Sequence, residues 1–193
     1  MAFSIRIQNP KTIIFVSNRC VDELFLLQSD PRVNALVLAC LARAAVQRGI
    51  ELLGYVFMGN HFHLILRAPQ GNLGCFMRDF QSWLAIKLKK IRKFKGSLFP
   101  ERYKQVDILD DAKAFEKLIY TLVNPCAANL VTRPGDYPGL SSLGHNIGGG
   151  KIVGRWIDDE KYNRNRKRNP KYAQEKAATY HEIELTPLPQ MVG

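Results

Sequence analysis

Three groups of residues in this sequence have the types and spacing for chemistry. His61 and His63 flank Phe62, so on a strand both imidazoles share one face while the phenylalanine points into the other layer. With their roots about 6–7 Å apart, two neutral imidazoles can converge on one divalent ion. The same spacing also fits a pair of surface histidines on a hairpin. The metal reading gains from their being two of only four histidines, and from the tight turn just before them, because a strand end beside a loop is where a rigid scaffold presents a site. Tyr120 and Asn124 are four residues apart, so a helix turns a phenol hydroxyl and an amide oxygen toward the same centre. A phenol becomes an effective nucleophile toward phosphate when a cation polarises the phosphoryl oxygen, which connects the second pair to the first. The third group is basic. Arg78, Lys87, Lys89, Lys90, Arg92 and Lys93 stud one predicted helix and its exit, and Arg102 and Lys104 open the strand that follows. From Lys87 to Lys104 eight basic residues stand against one acid, with Phe94, Phe99 and Tyr103 interleaved. Cations for the backbone and rings for the bases are what a single-strand groove uses; a solvated helix face is the plainer alternative for any one lysine.

The elements that must position these groups follow from periodicity. Lys11 to Val16 reads as a buried β-branched strand, stopped by the turn-prone Ser17-Asn18. Asp30 caps a helix with Pro31 at its first position; Val33, Leu36, Val37, Cys40, Leu41 and Ala44 form its apolar face, and Gly49 ends it. Glu51 to Met58 and His61 to Arg67 form a hairpin through Gly59-Asn60, the glycine supplying the positive φ of a tight turn. A helix over about residues 72–93 turns Phe76, Phe80, Trp83, Leu84, Leu88 and Ile91 inward, and a strand from Tyr103 to Leu109 follows. Strand, helix, strand, strand, helix, strand is the order of an α+β, ferredoxin-like split β-α-β sandwich, an antiparallel sheet with helices on one face. Asp110-Asp111 then starts a C-terminal tyrosine-bearing helix, which Pro125 should stop or kink near Asn124. Residues 1–145 read as one domain, and 146–193 as a Gly-rich linker and basic tail. From Lys151 to Lys176 nine cations face four acids, so partial order at best is expected there, with Trp156 as a short anchor.

Composition bounds the partners. With 193 residues, 46% hydrophobic and 10% aromatic, the chain can bury a core and is not of the disordered class. Its longest apolar run, Val33 to Val46, is broken by Asn34 and Arg43 and falls short of a membrane span. Met1 to Pro10 lacks the apolar core of a secretion signal. A net charge of +11 points to a polyanion, nucleic acid first and an anionic membrane second. Cys20, Cys40, Cys75 and Cys126 form no CxxC pair, which fits reduced thiols in the cytoplasm.

Two runs also resemble a family. Tyr55-Val-Phe-Met-Gly-Asn-His-Phe-His-Leu-Ile-Leu resembles the HUH strand of single-tyrosine transposases. Leu118-Ile-Tyr-Thr-Leu-Val-Asn-Pro-Cys-Ala-Ala-Asn-Leu-Val resembles the tyrosine-helix motif of their REP-associated branch (the RAYT proteins), and Tyr137-Pro-Gly-Leu-Ser-Ser is similar to the Tyr-x-x-Ser-Ser stretch that follows it, with one extra residue. The likeness covers about residues 10–145. It implies a catalytic domain over residues 1–145 that cleaves and rejoins single-stranded DNA near hairpins, working as a homodimer or as a monomer. It further implies that His61 and His63 bind Mg²⁺ or Mn²⁺, that Asn124 is a third ligand, and that Tyr120 attacks the scissile phosphate to make a 5′-phosphotyrosine and a free 3′-hydroxyl. The departures are Cys126-Ala127 where relatives have Val-Arg, which removes a cation beside the tyrosine, Asn129 where they have glycine, and Thr121 where isoleucine is common. Asparagine is the next most tolerant residue in a left-handed cap. A rival reading is a catalytically silent DNA-binding module of the same fold. An RNA-binding domain would need an exposed aromatic motif that is missing, and neither His145 nor His181 opens the second His-x-Ser/Thr element of a two-histidine phosphoesterase.

Overall fold

A computed structural model describes residues 9–167, 169–188 and 191; the leader reading of Met1 to Gln8 lies outside the described residues. Six elements make the central unit: β1 (Ile13–Arg19), α1 (Pro31–Arg48), β2 (Glu51–Phe57), β3 (His61–Arg67), α2 (Leu73–Leu88) and β4 (Lys104–Ile108). The sheet order is β2-β3-β1-β4 with every neighbour antiparallel, the ferredoxin-like arrangement the periodicity calls for. Strand alternation divides the core in two. Ile14, Val16, Leu52, Phe62, Leu64 and Leu66 face α1 and α2, which lie together on one side. Ile13, Phe15, Leu53 and Ile65 face the other side, where α3 (Asp111–Ala127) covers them with Ala114, Leu118 and Leu122.

The helix ends follow from local chemistry. The Asp30 carboxylate accepts the Arg32 amide, Pro31 opens α1, and Gly49 closes it at φ 58°. Asp110 caps α3 by accepting the amides of Ala112 and Lys113. Pro125 does not stop α3, which runs to Ala127: so near the end a proline forfeits a single backbone bond, and the amides of Ala128 and Asn129 close the helix onto Asn124 and Cys126. Asn129 takes the left-handed conformation, φ 55°.

Three other boundaries differ from the reading of the sequence. β1 does not stop at Ser17-Asn18 but runs on to Arg19, because Ser17, Asn18 and Arg19 find register partners in His63, Phe62 and His61, and the Asn18 amide bonds the Glu101 carbonyl. α2 ends at Leu88, short of Lys93, where Lys89, Arg92 and Lys93 would stack like charges one turn apart. Gly59 is not among the positive-φ residues; glycine stands there because a Cβ would lie 2.7 Å from the Phe25 ring.

The largest correction concerns the expected tail. After α4 (Leu143–Gly148), β5 (Ile152–Ile157) and β6 (Ala178–Ile183) pair antiparallel into a second sheet, with α5 (Asp159–Asn165) and α6 (Pro170–Ala177) between them. Ile152, Gly154 and Trp156 are buried while Val153 and Arg155 are exposed, a period of two that the surrounding charge obscures. This sheet lies on the outer side of α1. The Arg43 guanidinium sits between two indoles, 4.7 Å from the Trp83 ring centre and 4.2 Å from that of Trp156. Lys87 donates to the Ile157 carbonyl at 2.5 Å and pairs with Asp159 at 3.1 Å. The segment after α3 also closes the free edge of β2: Phe57 donates to Leu140, Ser142 and Thr186 donate to Tyr55 and Leu52, and the Tyr137 hydroxyl donates to the Phe57 carbonyl at 2.8 Å. No helix among the described residues is long and apolar enough to cross a membrane.

A Cβ on Gly154 would stand 2.8 Å from the Leu38 carbonyl oxygen and 3.1 Å from the Ala39 Cα, both backbone atoms that cannot rotate away. Gly154→Val should therefore lift β5 off α1, cost roughly 2–3 kcal/mol in urea denaturation, and shift tryptophan emission to the red. An unchanged midpoint and spectrum would mean that β5 is not seated on α1.

Candidate active site

His61 and His63 open β3 on the face that α3 covers, their rings 5.0 Å apart and nearly perpendicular. In the strand register His61 lies beside Arg19, and His63 lies beside Ser17, whose other neighbour is Lys104. α3 brings the remaining two residues. The Tyr120 ring is 5.9 Å from that of His63 and 6.4 Å from that of Phe15, and Phe15 stacks on His63 at 5.2 Å. One turn on, the buried Asn124 stands beside the His61 imidazole. The structure thus gathers the four residues singled out in the sequence around one opening, with the Tyr120 side chain still 45% exposed. The seat of α3 sets these distances. A Cβ on Gly54 would overlap the Leu118 side chain, so the helix lies as close to β2 as a residue without a side chain allows. Ser142 and Asn146, hydrogen-bonded to the backbone of Tyr55 and Leu53, tie down the chain that follows.

Both imidazoles are held neutral. Burial pushes His63 down to about 3, with His61, Lys117 and Arg19 adding positive charge around it. His61 is lowered by burial and by Arg19, against which the neighbouring Asn124 amide and Glu23 work in the other direction. Neither ring nitrogen of His63 has a hydrogen-bond partner although both are buried. The tautomer of His61 follows from Asn60. Its amide nitrogen donates to the Glu23 carbonyl at 3.2 Å, so its oxygen is the atom 2.7 Å from His61 Nδ1; that nitrogen carries the proton, and Nε2 keeps its lone pair. His61 Nε2, one nitrogen of the neutral His63 imidazole and the Asn124 amide oxygen are a donor set suited to a divalent cation such as Mn²⁺ or Mg²⁺. Among the described residues no three His, Cys, Asp or Glu side chains cluster as a metal site, so the amide is needed to complete the set.

Two cavities flank this centre. One, of about 420 Å³, lies beside the histidines and is bordered by Ser17, Arg19, Glu23, Arg102 and Lys104. The other, of about 490 Å³, runs between β4 and α3 past Val106, Leu109, Lys113 and Lys117 to Tyr120. The Lys117 ammonium lies 4.4 Å from the Tyr120 ring centre and 4.3 Å from that of Phe15.

The basic residues divide between two faces. Arg102 and Lys104 border the histidine cavity, whereas Arg78, Lys87, Lys89, Lys90, Arg92 and Lys93 belong to α2 and its exit, behind the sheet. Several of these have internal partners. Lys87 is buried against Trp156 and Asp159, Lys90 reaches Asp159 at 2.6 Å, and Arg78 joins Arg48 on Asp79. A charge run read along the chain says nothing about which side of a sheet it will occupy. Arg19, Asn60 and Lys117 were not singled out in the sequence. Lys117 was accessible as the residue three before Tyr120 on the same helix face, and Arg19 would have followed had β1 been carried past Ser17-Asn18.

Because His63 accepts a proton far less readily in the folded chain than at its ordinary value of 6.5, the unfolded chain binds more protons between pH 6.5 and about 3. With chelator present, stability should fall as pH drops through that window. His63→Leu should lessen the slope of the urea midpoint against pH between 6.5 and about 4.5, above the carboxylate range; an unchanged slope there would place the titrating group elsewhere.

No family model matches this chain, and no curated protein resembles it in sequence. Among solved structures it is similar to a REP-associated tyrosine transposase bound to a REP hairpin, with a TM-score of 0.63 and 15% identity over 76% of this chain and 85% of that one. It is also similar to the tRNA(His) guanylyltransferase of Saccharomyces cerevisiae, with a TM-score of 0.52 and 13% identity over 98% of this chain and 95% of that one. At these identities the likeness is one of fold: an antiparallel α+β sheet with helices packed across it.

Proposed function

We propose that this chain cleaves and rejoins single-stranded DNA at hairpin-associated sites through a 5′-phosphotyrosine formed by Tyr120, with Mg²⁺ or Mn²⁺ held by His61, His63 and Asn124. The observation that carries this reading is the convergence of an exposed phenol on two neighbouring imidazoles, one of them, His63, buried with neither ring nitrogen hydrogen-bonded, beside a cavity edged by cations. The fold shared with a transposase bound to a REP hairpin, and a net charge of +11, support DNA as the partner.

The cation, when bound, supplies Lewis acidity at a non-bridging phosphoryl oxygen. Lys104 and Arg19 hold the backbone on the histidine side of the site. The Tyr120 oxygen forms a bond to phosphorus while the bond from phosphorus to the 3′ oxygen breaks. The 3′ oxygen departs as a hydroxyl, its new proton balancing the one the phenol gives up. Lys117 lies over the ring, 4.4 Å from its centre, and adds a cation to the DNA-facing side of the helix. Asn60 keeps the His61 tautomer that leaves Nε2 free. Rejoining runs the same step backwards from a 3′-hydroxyl, so the exchange needs no external energy.

The test is a denaturing gel of labelled hairpin DNA with single-stranded flanks, incubated with Mn²⁺, Mg²⁺ or EDTA. A protease-sensitive shifted band should form with metal only, and Tyr120→Phe should lower it by roughly a thousandfold or more. Binding without adduct or cleavage across a varied pool of substrates would make the chain a DNA-binding module of the same fold, in keeping with the cation missing at Ala127.

A further inference from the structure

The turn that follows β1 has no part in the chemistry above, yet it holds an unfavourable conformation beside the histidines. Asp22 (φ 49°, ψ 28°) and Glu23 (φ 54°) are consecutive left-handed residues, and neither is glycine or asparagine. A backbone like this persists only when its surroundings over-determine it, and here they do. The Cys20 amide donates to Asn60 at 2.7 Å, Val21 to Leu98 at 2.9 Å, Leu24 to Val21 at 3.0 Å, and the Asn60 side chain holds the Glu23 carbonyl. The result is to aim the Glu23 carboxylate at Arg19, Oε1 to Nη1 2.5 Å, on the rim of the cavity that contains His61 and His63. This contact is a single bond between side chains 56% and 66% exposed, a weak and exchangeable pair in water. The guanidinium keeps further donors in a fork that suits a phosphodiester better than one carboxylate oxygen does.

We propose that Arg19 clamps a backbone phosphate next to the scissile one, and that Glu23 is its resting partner, a built-in carboxylate that a DNA phosphate must displace. Glu23 thereby sets the affinity threshold of the site: a strand that presents a phosphate in register with Arg19 replaces it, and other polyanions meet a neutralised guanidinium and an added negative charge. The turn keeps the competitor in place because Asn60 fastens Glu23 and His61 with the two ends of one amide. This proposal rests on the site being a DNA site, as read above.

The experiment is a double-mutant cycle on the full chain carrying Tyr120→Phe, which removes cleavage from the readout. Binding of fluorescent single-stranded hairpin DNA is followed by anisotropy at several salt concentrations. Glu23→Gln should tighten binding about three- to tenfold. Arg19→Ala should weaken it by about tenfold and lower the slope of log K against log salt by about 0.7, one phosphate contact on a single strand. In the Arg19→Ala background Glu23→Gln should tighten binding clearly less, by the relief of charge repulsion alone. Unchanged affinity in Glu23→Gln, or equal tightening with and without Arg19, would overturn the exchange and leave the DNA site standing. Failure of the parent chain to bind any DNA in the pool would overturn the site and this proposal together.

Discussion

Leu118 and Leu122 bury themselves against Ile13, Phe15, Leu53 and Ile65, and this contact fixes how far a helix-borne phenol stands from two strand-borne imidazoles. Each leucine contributes about 1.5–3 kcal/mol of burial, enough together to hold a helix against a sheet. The position is also limited from below by Gly54, where the backbone of β2 meets the Leu118 side chain. A shift of α3 along the sheet would separate Tyr120 from His63 and Asn124 from His61 at once, because all four hang on two elements. The reactive groups themselves touch only weakly; the apolar face beneath them supplies the order.

Much of this was legible in the sequence. The alternation of His61, Phe62 and His63 already put both imidazoles on the face opposite Phe62, and the structure turns Phe62 toward α1 and α2. The interval from Tyr120 to Asn124 placed both on one helical face. What could not be read were contacts depending on a second strand or on depth. Arg19 was lost because Ser17-Asn18 reads locally as a turn, and only pairing with β3 keeps it extended. Asn60 looked like a turn residue, and the two hydrogen bonds of its amide depend on Glu23 and His61 lying on either side of it. The region beyond residue 146 was misjudged because charge density masked the alternation of Ile152, Gly154 and Trp156, and because nothing local announces that Arg43 and Trp83 await them across α1.

The cations of this chain do two separate jobs. On the α2 side Lys87, Lys90 and Arg43 join the second sheet to the central unit through Asp159 and the indole of Trp156. On the α3 side Arg19, Lys104 and Lys117 lie around the histidines, and after burial and His61 the charges of Lys117 and Arg19 help keep His63 unprotonated. The first group works through partners inside the protein. The second raises the local positive potential at an opening and keeps the imidazoles in the state in which their lone pairs are available.

The closure of β2 has a consequence during synthesis. Tyr55 bonds Ser142, which lies 87 residues further along the chain, and Leu52 waits longer still, for Thr186. While the chain emerges from the ribosome, β2 and β3 can pair early, but one flank of that hairpin shows bare backbone amides and carbonyls until residues 137–142 arrive, and at Leu52 until Thr186 does. An unguarded strand edge of this kind is a template for pairing with another molecule. Of the residues that read as a basic tail, Thr186 is the one that completes this closure, after Tyr137, Leu140 and Ser142 have covered most of the edge.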